Sequence, residues 1–352
     1  METTSSRIQE HYLNGNDFKI ITEFEKRFKD YHNMKYSVAT NSATSALHLS
    51  YYALGIKSGD QVIVPNYTFP ATALPLFPLG GIPVLVDCQK DTANIDPTQI
   101  EEKITLKTKA IAVTHLWGHP CEMDEIQTIA SKYNLPIIED CAHSPGAKYK
   151  NKLVGTFGKV SCFSFDNQKL LASGEGGILL TNSKKIYEES LVFGDFGDRI
   201  KHLDHPNKDT GLGLKYRMHP LAAVIANDKT KLLDDLNHER VTRLDYFTKQ
   251  LLTTKTLVPP VTRNYVQRGG YYGYKVIYKG KHDVDDFIRL CNNNGVDVRR
   301  TVTPPLHMTN LFSLPSTHFL NSTWFYENHL SFNPDLDYEQ IDNYIETLKR
   351  IE

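Results

Sequence analysis

The sequence predicts an α/β protein: a mainly parallel sheet with helices on both faces, then a smaller domain. Six short β-rich runs separated by helical stretches lie between residues 62 and 182. Strands joined through helices imply parallel pairing. The pattern changes near residue 240, dividing the chain into expected domains 1–240 and 241–352. The length of 352 residues agrees with about two domains at roughly 150 residues each.

In chain order, Asn41-Ser42-Ala43-Thr44-Ser45 opens a predicted helix whose Ala43, Ala46, Leu47 and Leu54 share a face, with Gly55 as its stop. The strand runs follow: VIVP (62–65), PVLVD (83–87), AIAVTHL (110–116), PIIEDC (136–141), VSCFSF (160–165) and GILLTN (177–182). His219 to Leu252 reads as one helix with few breakers. A shorter βαβ-like pattern comes next, with a strand over Tyr271–Tyr278, a helix over 283–295 ending at Gly295, and a strand over 296–301. DYEQIDNYIETLKRIE reads as a closing amphipathic helix.

Several classes are excluded. Forty Lys and Arg against 41 Asp and Glu leave a net charge of −1, so the cationic surplus of a strongly basic nucleic-acid binder is missing. The uncharged stretch 61–86 is long enough to span a bilayer, but Pro65, Pro70, Pro75, Pro78 and Pro83 interrupt it. A helix so broken would leave carbonyls unpaired in lipid, so strands and turns are expected instead. The five cysteines (Cys88, Cys121, Cys141, Cys162, Cys291) form no C-x-x-C pair and suggest neither disulfides nor a zinc cluster. METTSSRIQE lacks the basic and apolar regions of a secretory leader, and the cytosol is the expected compartment.

Three segments point together to one chemistry. The start of the first helix offers free N–H groups, a partial positive charge and hydroxyls, which can hold a phosphate; plain N-capping is its ordinary role. Glu139-Asp140 ends an apolar strand, where ligands gather in open α/β sheets; a solvated strand end is the ordinary role there. Lys169 follows a buried strand and precedes Gly174-Glu175-Gly176-Gly177, a setting that suits a Schiff-base lysine. In order along one α/β domain, these are the anion site, the ring-nitrogen carboxylate and the amine that pyridoxal phosphate requires. Neither G-x-G-x-x-G nor G-x-x-x-x-G-K-[ST] occurs to favour a nucleotide cofactor.

Longer stretches add to this. FEKRFKDYHNMKYSVATNSATSALHL, DQVIVPNYTFPATA, NIDPTQIEEKITLKTKAI, HLWGHPCEMDEI, IIEDCAHSPGA, VGTFGKVSCFSF, GEGGILLTN, KYRMHPLAA and TPPLH together resemble the pyridoxal-phosphate-dependent sugar aminotransferases of the DegT/DnrJ/StrS family, fold type I, over roughly residues 22–350. The resemblance implies a large domain with a mainly parallel seven-stranded sheet and a smaller α+β C-terminal domain. It implies that Lys169 is the cofactor-binding amine and general acid/base, that Asp140 pairs with the pyridinium nitrogen, and that His143 lies near the ring hydroxyl. Ala43, Thr44 and Ser164 would build the phosphate cradle. Phe69 is the candidate ring for stacking on the cofactor, with Tyr67 competing. A homodimer with shared active sites is implied, the KYRM loop crossing over; the substrates would be an amino-acid donor, glutamate most often, and a keto-sugar linked to a nucleotide.

The chain departs from the family pattern in two places. It reads G-L-K-Y-R-M where relatives read G-Y-N-Y-R-M, so Lys215 stands where an asparagine reaches the partner's cofactor phosphate. LPLFPLGG (74–81) is proline-rich where relatives often continue a helix. A cyclitol ketone, a small phosphorylated ketone and a non-catalytic regulatory role are the alternatives. No metal site is expected, since the family pattern accounts for His115, His119 and Cys121. His202 and His205 are expected in a solvated loop, and His307 either near the substrate entrance or in a structural role.

Overall fold

The computed structural model describes residues 6, 19–195, 199–207, 213–301 and 303–352. METTSSRIQE, on which the leader reading rests, lies outside them except for Ser6. The seven-stranded sheet consists of β1 (Tyr36–Thr40), β2 (Gln61–Pro65), β3 (Ile82–Val86), β4 (Thr108–Thr114), β5 (Ile137–Asp140), β8 (Val160–Ser164) and β9 (Gly177–Thr181). Its order is β1-β9-β8-β5-β4-β2-β3, and β9 alone runs antiparallel to its neighbours. Two-residue strands β6 (Lys148–Tyr149) and β7 (Lys152–Leu153) pair beside it in a separate small sheet.

Side chains alternate between the two faces, as the pleat demands. Val62, Val64, Ala110, Ala112, Ile138 and Cys162 pack on one side with helices α2 (Ala43–Ala53) and α4 (Lys184–Gly194). Ile63, Ile111, Val113 and Ile137 face the other side, against α3 (Met123–Lys132). Further along that side, α1 (Lys19–Tyr31) buries Ile20, Ile21, Phe24 and Phe28. The Phe24 and Phe28 rings meet Phe165 edge-on at 5.1 and 5.4 Å. Each fully buried ring contributes roughly 1.5–3 kcal/mol.

Between β2 and β3 the prolines decide the backbone. Pro70–Thr72 and Leu74–Leu79 form 3₁₀ turns, and left-handed Gly80 (φ 73°) stops the second. Pro75 and Pro78 have no N–H to give an α-helical ladder, so the segment coils tightly over the sheet. Among the described residues no helix is long and apolar enough to cross a membrane.

The expected single helix over 219–252 is two helices, α5 (Pro220–Thr230) and α6 (Leu233–Leu251). The chain turns at Lys231-Leu232, where Leu232 is exposed and Leu233 enters the core of the large sheet. Packing overrides propensity here, because nothing in those two residues breaks a helix. Leu244, Phe247 and Leu251 of α6 then join a second core.

That core covers a four-stranded sheet, β10 (Leu257–Val258), β12 (Tyr274–Tyr278), β14 (His329–Phe332) and β13 (Val298–Arg299), in that order. The βαβ expectation needs correcting: β12 and β13 flank α7 (Val284–Asn293), yet β14 inserts between them and pairs antiparallel with both. The strand expected from Tyr271 begins at Tyr274, since left-handed Gly270, Tyr271 and Gly273 turn the chain before it. Helix α8 (Leu320–Asn328) precedes β14, and α9 (Tyr338–Ile351) closes the chain behind an Asp337–Gln340 capping box. β11 (Val266–Gln267) pairs with β6. His202 is exposed as expected, but His205 is not simply solvated: its imidazole Nε2 lies 3.3 Å from Glu189 and is largely covered.

Glu139 shows how the sheet fixes its loops. Its carboxylate is fully buried and accepts the backbone N–H groups of Gly155, Phe157 and Gly158 at 2.6–2.7 Å, with His115 Nε2 at 3.1 Å. Replacing it by Ala strands three donors, one buried and two half-buried, an expected loss of about 3–5 kcal/mol. A urea midpoint equal to that of the parent chain would contradict this account.

Candidate active site

The sheet delivers its functional side chains at the carboxyl ends of β5 and β8, where an open α/β sheet leaves a crevice. Alternation turns Glu139 into the loop network just described and Asp140 toward the crevice. Asp140 Oδ2 accepts the Thr72 hydroxyl at 2.7 Å, and Oδ1 accepts the Ala142 N–H at 3.1 Å. Thr68, Thr72 and Thr114 form a hydroxyl cluster behind it, with contacts of 2.9–3.3 Å. Burial raises the Asp140 pKa; the two hydrogen bonds and the Lys169 charge oppose that rise.

Lys169 sits in the loop joining β8 to β9. Phe165 N–H bonds to Gly176 C=O and Ser173 N–H to Phe165 C=O, closing the loop on itself, while Lys169 N–H bonds to Asp166 C=O. Burial pushes the Lys169 amine down to about 8, against the opposing pull of Asp140 and Asp166. A substantial share is therefore neutral and nucleophilic near physiological pH.

Nζ of Lys169 lies 3.5 Å from the centre of the Tyr272 ring, and the His143 ring stacks on Tyr272 at 4.3 Å. His143 is buried, and burial together with the Lys169 and Lys275 charges holds it well below the usual histidine range. Its Nδ1 accepts the Trp117 N–H at 3.5 Å, a long contact. Tyr272 was not among the residues the sequence singled out, and neither was Thr72. The Tyr271-Tyr272-Gly273-Tyr274 run is the available signal, but it reads first as strand.

Ala43 and Thr44 form the first turn of α2, capped by Ser42, whose hydroxyl accepts the Ser45 N–H at 3.1 Å. So Ser42 caps the helix, while Thr44 remains exposed at its open end. Gly177, the first residue of β9, passes so close that a Cβ there would lie 2.3 Å from the Ser42 carbonyl carbon. The glycine cluster thus brings the helix terminus against the strand that follows the lysine loop. Ser164 ends β8, five residues before Lys169, and is buried.

The remaining candidates differ in exposure. Phe69 is 57% exposed, whereas Tyr67 is buried against Trp117 and Phe325. Lys215 is exposed, on a stretch tied to the α2 entrance by Asn41 N–H to Tyr216 C=O at 2.6 Å. His307 is buried among Asn66, Ser316 and Thr323, with Phe319 stacked on it. His115 Nδ1 accepts the Cys121 N–H, and the Cys121 thiol donates to Thr114 C=O, so both serve the loop.

Residues 8–349 match the profile of one protein family. The chain belongs to the DegT/DnrJ/EryC1/StrS aminotransferase family. The family is one of aminotransferases, whose cofactor is pyridoxal phosphate. The chain is 39% identical over 231 residues to the GDP-perosamine synthase of Escherichia coli O157:H7, covering 66% of this chain and 63% of that protein. It is 39% identical over 243 residues to the dTDP-3-amino-3,6-dideoxy-alpha-D-galactopyranose transaminase of Aneurinibacillus thermoaerophilus, covering 69% and 66% respectively. Both matches thus span just under two thirds of the relative's own length. The solved structure of S. venezuelae DesV superposes with a TM-score of 0.90 at 27% identity, covering 99% of this chain and 93% of that one.

The residues present fit the family's cofactor. Asp140 is a buried carboxylate whose hydrogen bonds favour its charged form, Lys169 is an amine of lowered basicity coupled to it, and Gly177 leaves the helix entrance clear of a Cβ. Gly177→Ala is expected to weaken cofactor binding at least tenfold while the far-ultraviolet circular dichroism stays unchanged. Equilibrium dialysis of the cofactor checks this, and undiminished affinity would sink the cradle assignment.

Proposed function

We propose that this chain transfers an amino group from an amino acid, most simply glutamate, to a keto-sugar carried on a nucleoside diphosphate. The observation that carries the proposal is the pairing of Lys169 and Asp140 at the carboxyl end of the sheet, each felt electrostatically by the other. The substrate class is supported by two relatives named for GDP- and dTDP-linked amino sugars.

When bound, the cofactor supplies an electron-withdrawing ring that holds the charge left when a proton departs from the substrate carbon. Asp140 would keep a proton on the ring nitrogen, and the Thr72 hydrogen bond favours the charged carboxylate for that task. Lys169 Nζ carries the proton between the two carbons concerned, which a neutral amine near pH 8 can accept and an ammonium can return. Tyr272 covers the amine from the side of the smaller sheet, restricting its rotamers and keeping water from it. His143, held neutral, can exchange a hydrogen bond without bringing a competing positive charge. Ala43, Thr44 and Ser164 would hold the cofactor phosphate, and Phe69 would stack on the ring.

The site is completed by a second copy in this proposal. Lys215, exposed beside the α2 entrance, would reach the partner's cofactor phosphate as a charge-assisted donor.

Lys169→Ala is expected to abolish the visible absorbance of the covalently bound cofactor. Asp140→Asn should retain cofactor and lose turnover by a factor of about 100 or more, on the scale of losing one electrostatic stabiliser. Following the cofactor spectrum during a half-reaction with glutamate checks both; full activity in the Asn variant would refute the role of Asp140.

Cofactor loading gives a pH test. Lys169 attacks as the neutral amine, so the rate of loading into the apo-protein should rise with pH and level off above about 8. A rate that keeps climbing through pH 10 would show an ordinary, unperturbed lysine.

A further inference from the structure

Strand β1 lies at the end of the large sheet and pairs with β9 alone among its strands, so the other side of its backbone needs partners from elsewhere. The pleat turns the N–H groups of residues 39 and 41 to that side. Glu25 of α1 meets the first, its buried carboxylate accepting the Ala39 N–H at 2.7 Å. The second, Asn41 N–H, donates to the Tyr216 carbonyl at 2.6 Å, and between them Thr40 bridges antiparallel to Arg217. These three residues lead straight into Ser42, the cap of α2.

The two holds are joined. Arg199 Nη2 donates to both Glu25 oxygens, at 2.7 and 2.9 Å, and its Nη1 lies 3.5 Å from Asp195 Oδ2. Asp195 Oδ1 accepts Arg217 Nη1 at 3.1 Å, and Arg217 returns to Thr40 through the backbone bridge. Glu25, Arg199, Asp195 and Arg217 therefore close a ring with the backbone of Ala39 and Thr40, two carboxylates against two guanidiniums. Their side chains are only 3% to 21% exposed. Charges so buried recover little of their lost hydration, and packed apolar residues often stabilise a fold as well or better. What charged groups add is direction, because the planar guanidinium fixes its acceptors in angle as well as distance. Since the charges balance, the ring places backbone rather than projecting a net field.

We infer that Glu25, Arg199, Asp195 and Arg217 are positioning residues for the cofactor phosphate, setting where residues 40–45 stand without touching the cofactor or the reacting atoms. The inference rests on the proposed role of Ala43, Thr44 and Ser164 in holding that phosphate. Within the turn, Thr40 Oγ1 donates to the Ser42 carbonyl at 2.8 Å and Ser45 Oγ to Asn41 Oδ1 at 2.6 Å, so a shift at Thr40 or Asn41 passes into the helix entrance. Gly177 of β9 presses on Ser42 from the other side. The turn is gripped between strand and ring, and an anion site needs such a grip because hydrogen bonds weaken steeply with misalignment. The same ring steadies residues 214–217, whose Leu214 and Tyr216 N–H groups donate to the Phe193 and Gly194 carbonyls at 2.6 and 2.8 Å. Exposed Lys215 is thereby kept in register with the α2 entrance.

Comparing pyridoxal phosphate with pyridoxal, which has the same aldehyde and ring but no phosphate, isolates the effect. Dissociation constants for both are measured by equilibrium dialysis against the full chain freed of cofactor. The parent chain should prefer the phosphorylated form by about a hundredfold or more. Glu25→Gln and Arg199→Lys should each weaken pyridoxal phosphate about tenfold and change pyridoxal less than twofold. Because Arg199→Lys keeps the charge and loses the planar fork, a selective loss there shows that geometry matters. Arg217→Lys, at the most exposed member of the ring, should show the same selective loss, at least threefold, and carries the test should the other two variants not fold. Equal weakening of both ligands together with a lowered thermal midpoint would make the ring a general stabiliser and overturn the inference. A parent preference kept intact by every variant would sink the ring alone and leave the cradle standing. A parent chain indifferent to the phosphate would sink the cradle, and the ring's role with it.

Discussion

A carboxylate buried at the end of a parallel strand must be kept charged by what surrounds it, and Asp140 is the point on which the site turns. Burial raises its pKa. The Thr72 hydroxyl, the Ala142 N–H and the Lys169 charge oppose that rise. Thr72 is available because the proline-rich stretch between β2 and β3 coils back over the sheet in 3₁₀ turns, and the Thr68–Thr72–Thr114 cluster fixes its rotamer. The departure from regular helix at residues 74–79 is therefore part of the electrostatics. A looser connection would leave the strand end to water or to a proton.

Close backbone approach is the second constraint. Gly118 has no room for a Cβ because the Gly269 carbonyl would lie 2.2 Å away, and Gly270 is pressed against the His143 carbonyl. The H-L-W-G, A-H-S-P-G and R-G-G-Y segments thus interlock, one from each of three distant parts of the chain. This packing holds the His143 ring on Tyr272, beside the Lys169 amine, with the Trp117 N–H reaching His143.

Much of this was legible in the sequence. All six β-rich runs are strands of the large sheet, because buried parallel strands read as short apolar runs bounded by turn residues. Ser42-Ala43-Thr44 announced a helix start, and Lys169 with its glycines announced a loop where backbone comes close. What stayed hidden was decided by tertiary contact. Tyr272 meets Gln168 from 104 residues away, and only the left-handed turn at Gly270-Tyr271 aims it there. The break at Lys231-Leu232 has no local cause, and β14 is too short to show a period. Its insertion between β12 and β13 depends on strand pairing that periodicity does not encode.

Helix α6 gives the molecule a fulcrum. Asn237, one turn from the start of that helix, donates to the Pro145 carbonyl at 2.8 Å and accepts the Gly270 N–H at 2.6 Å. The helix then extends about 20 Å beyond that staple at 1.5 Å per residue. Motion about such a pivot is large at the distant tip and small at the hinge pin. Any displacement of the outer sheet about it would be smallest at Gly270, two residues from the tyrosine guarding the amine.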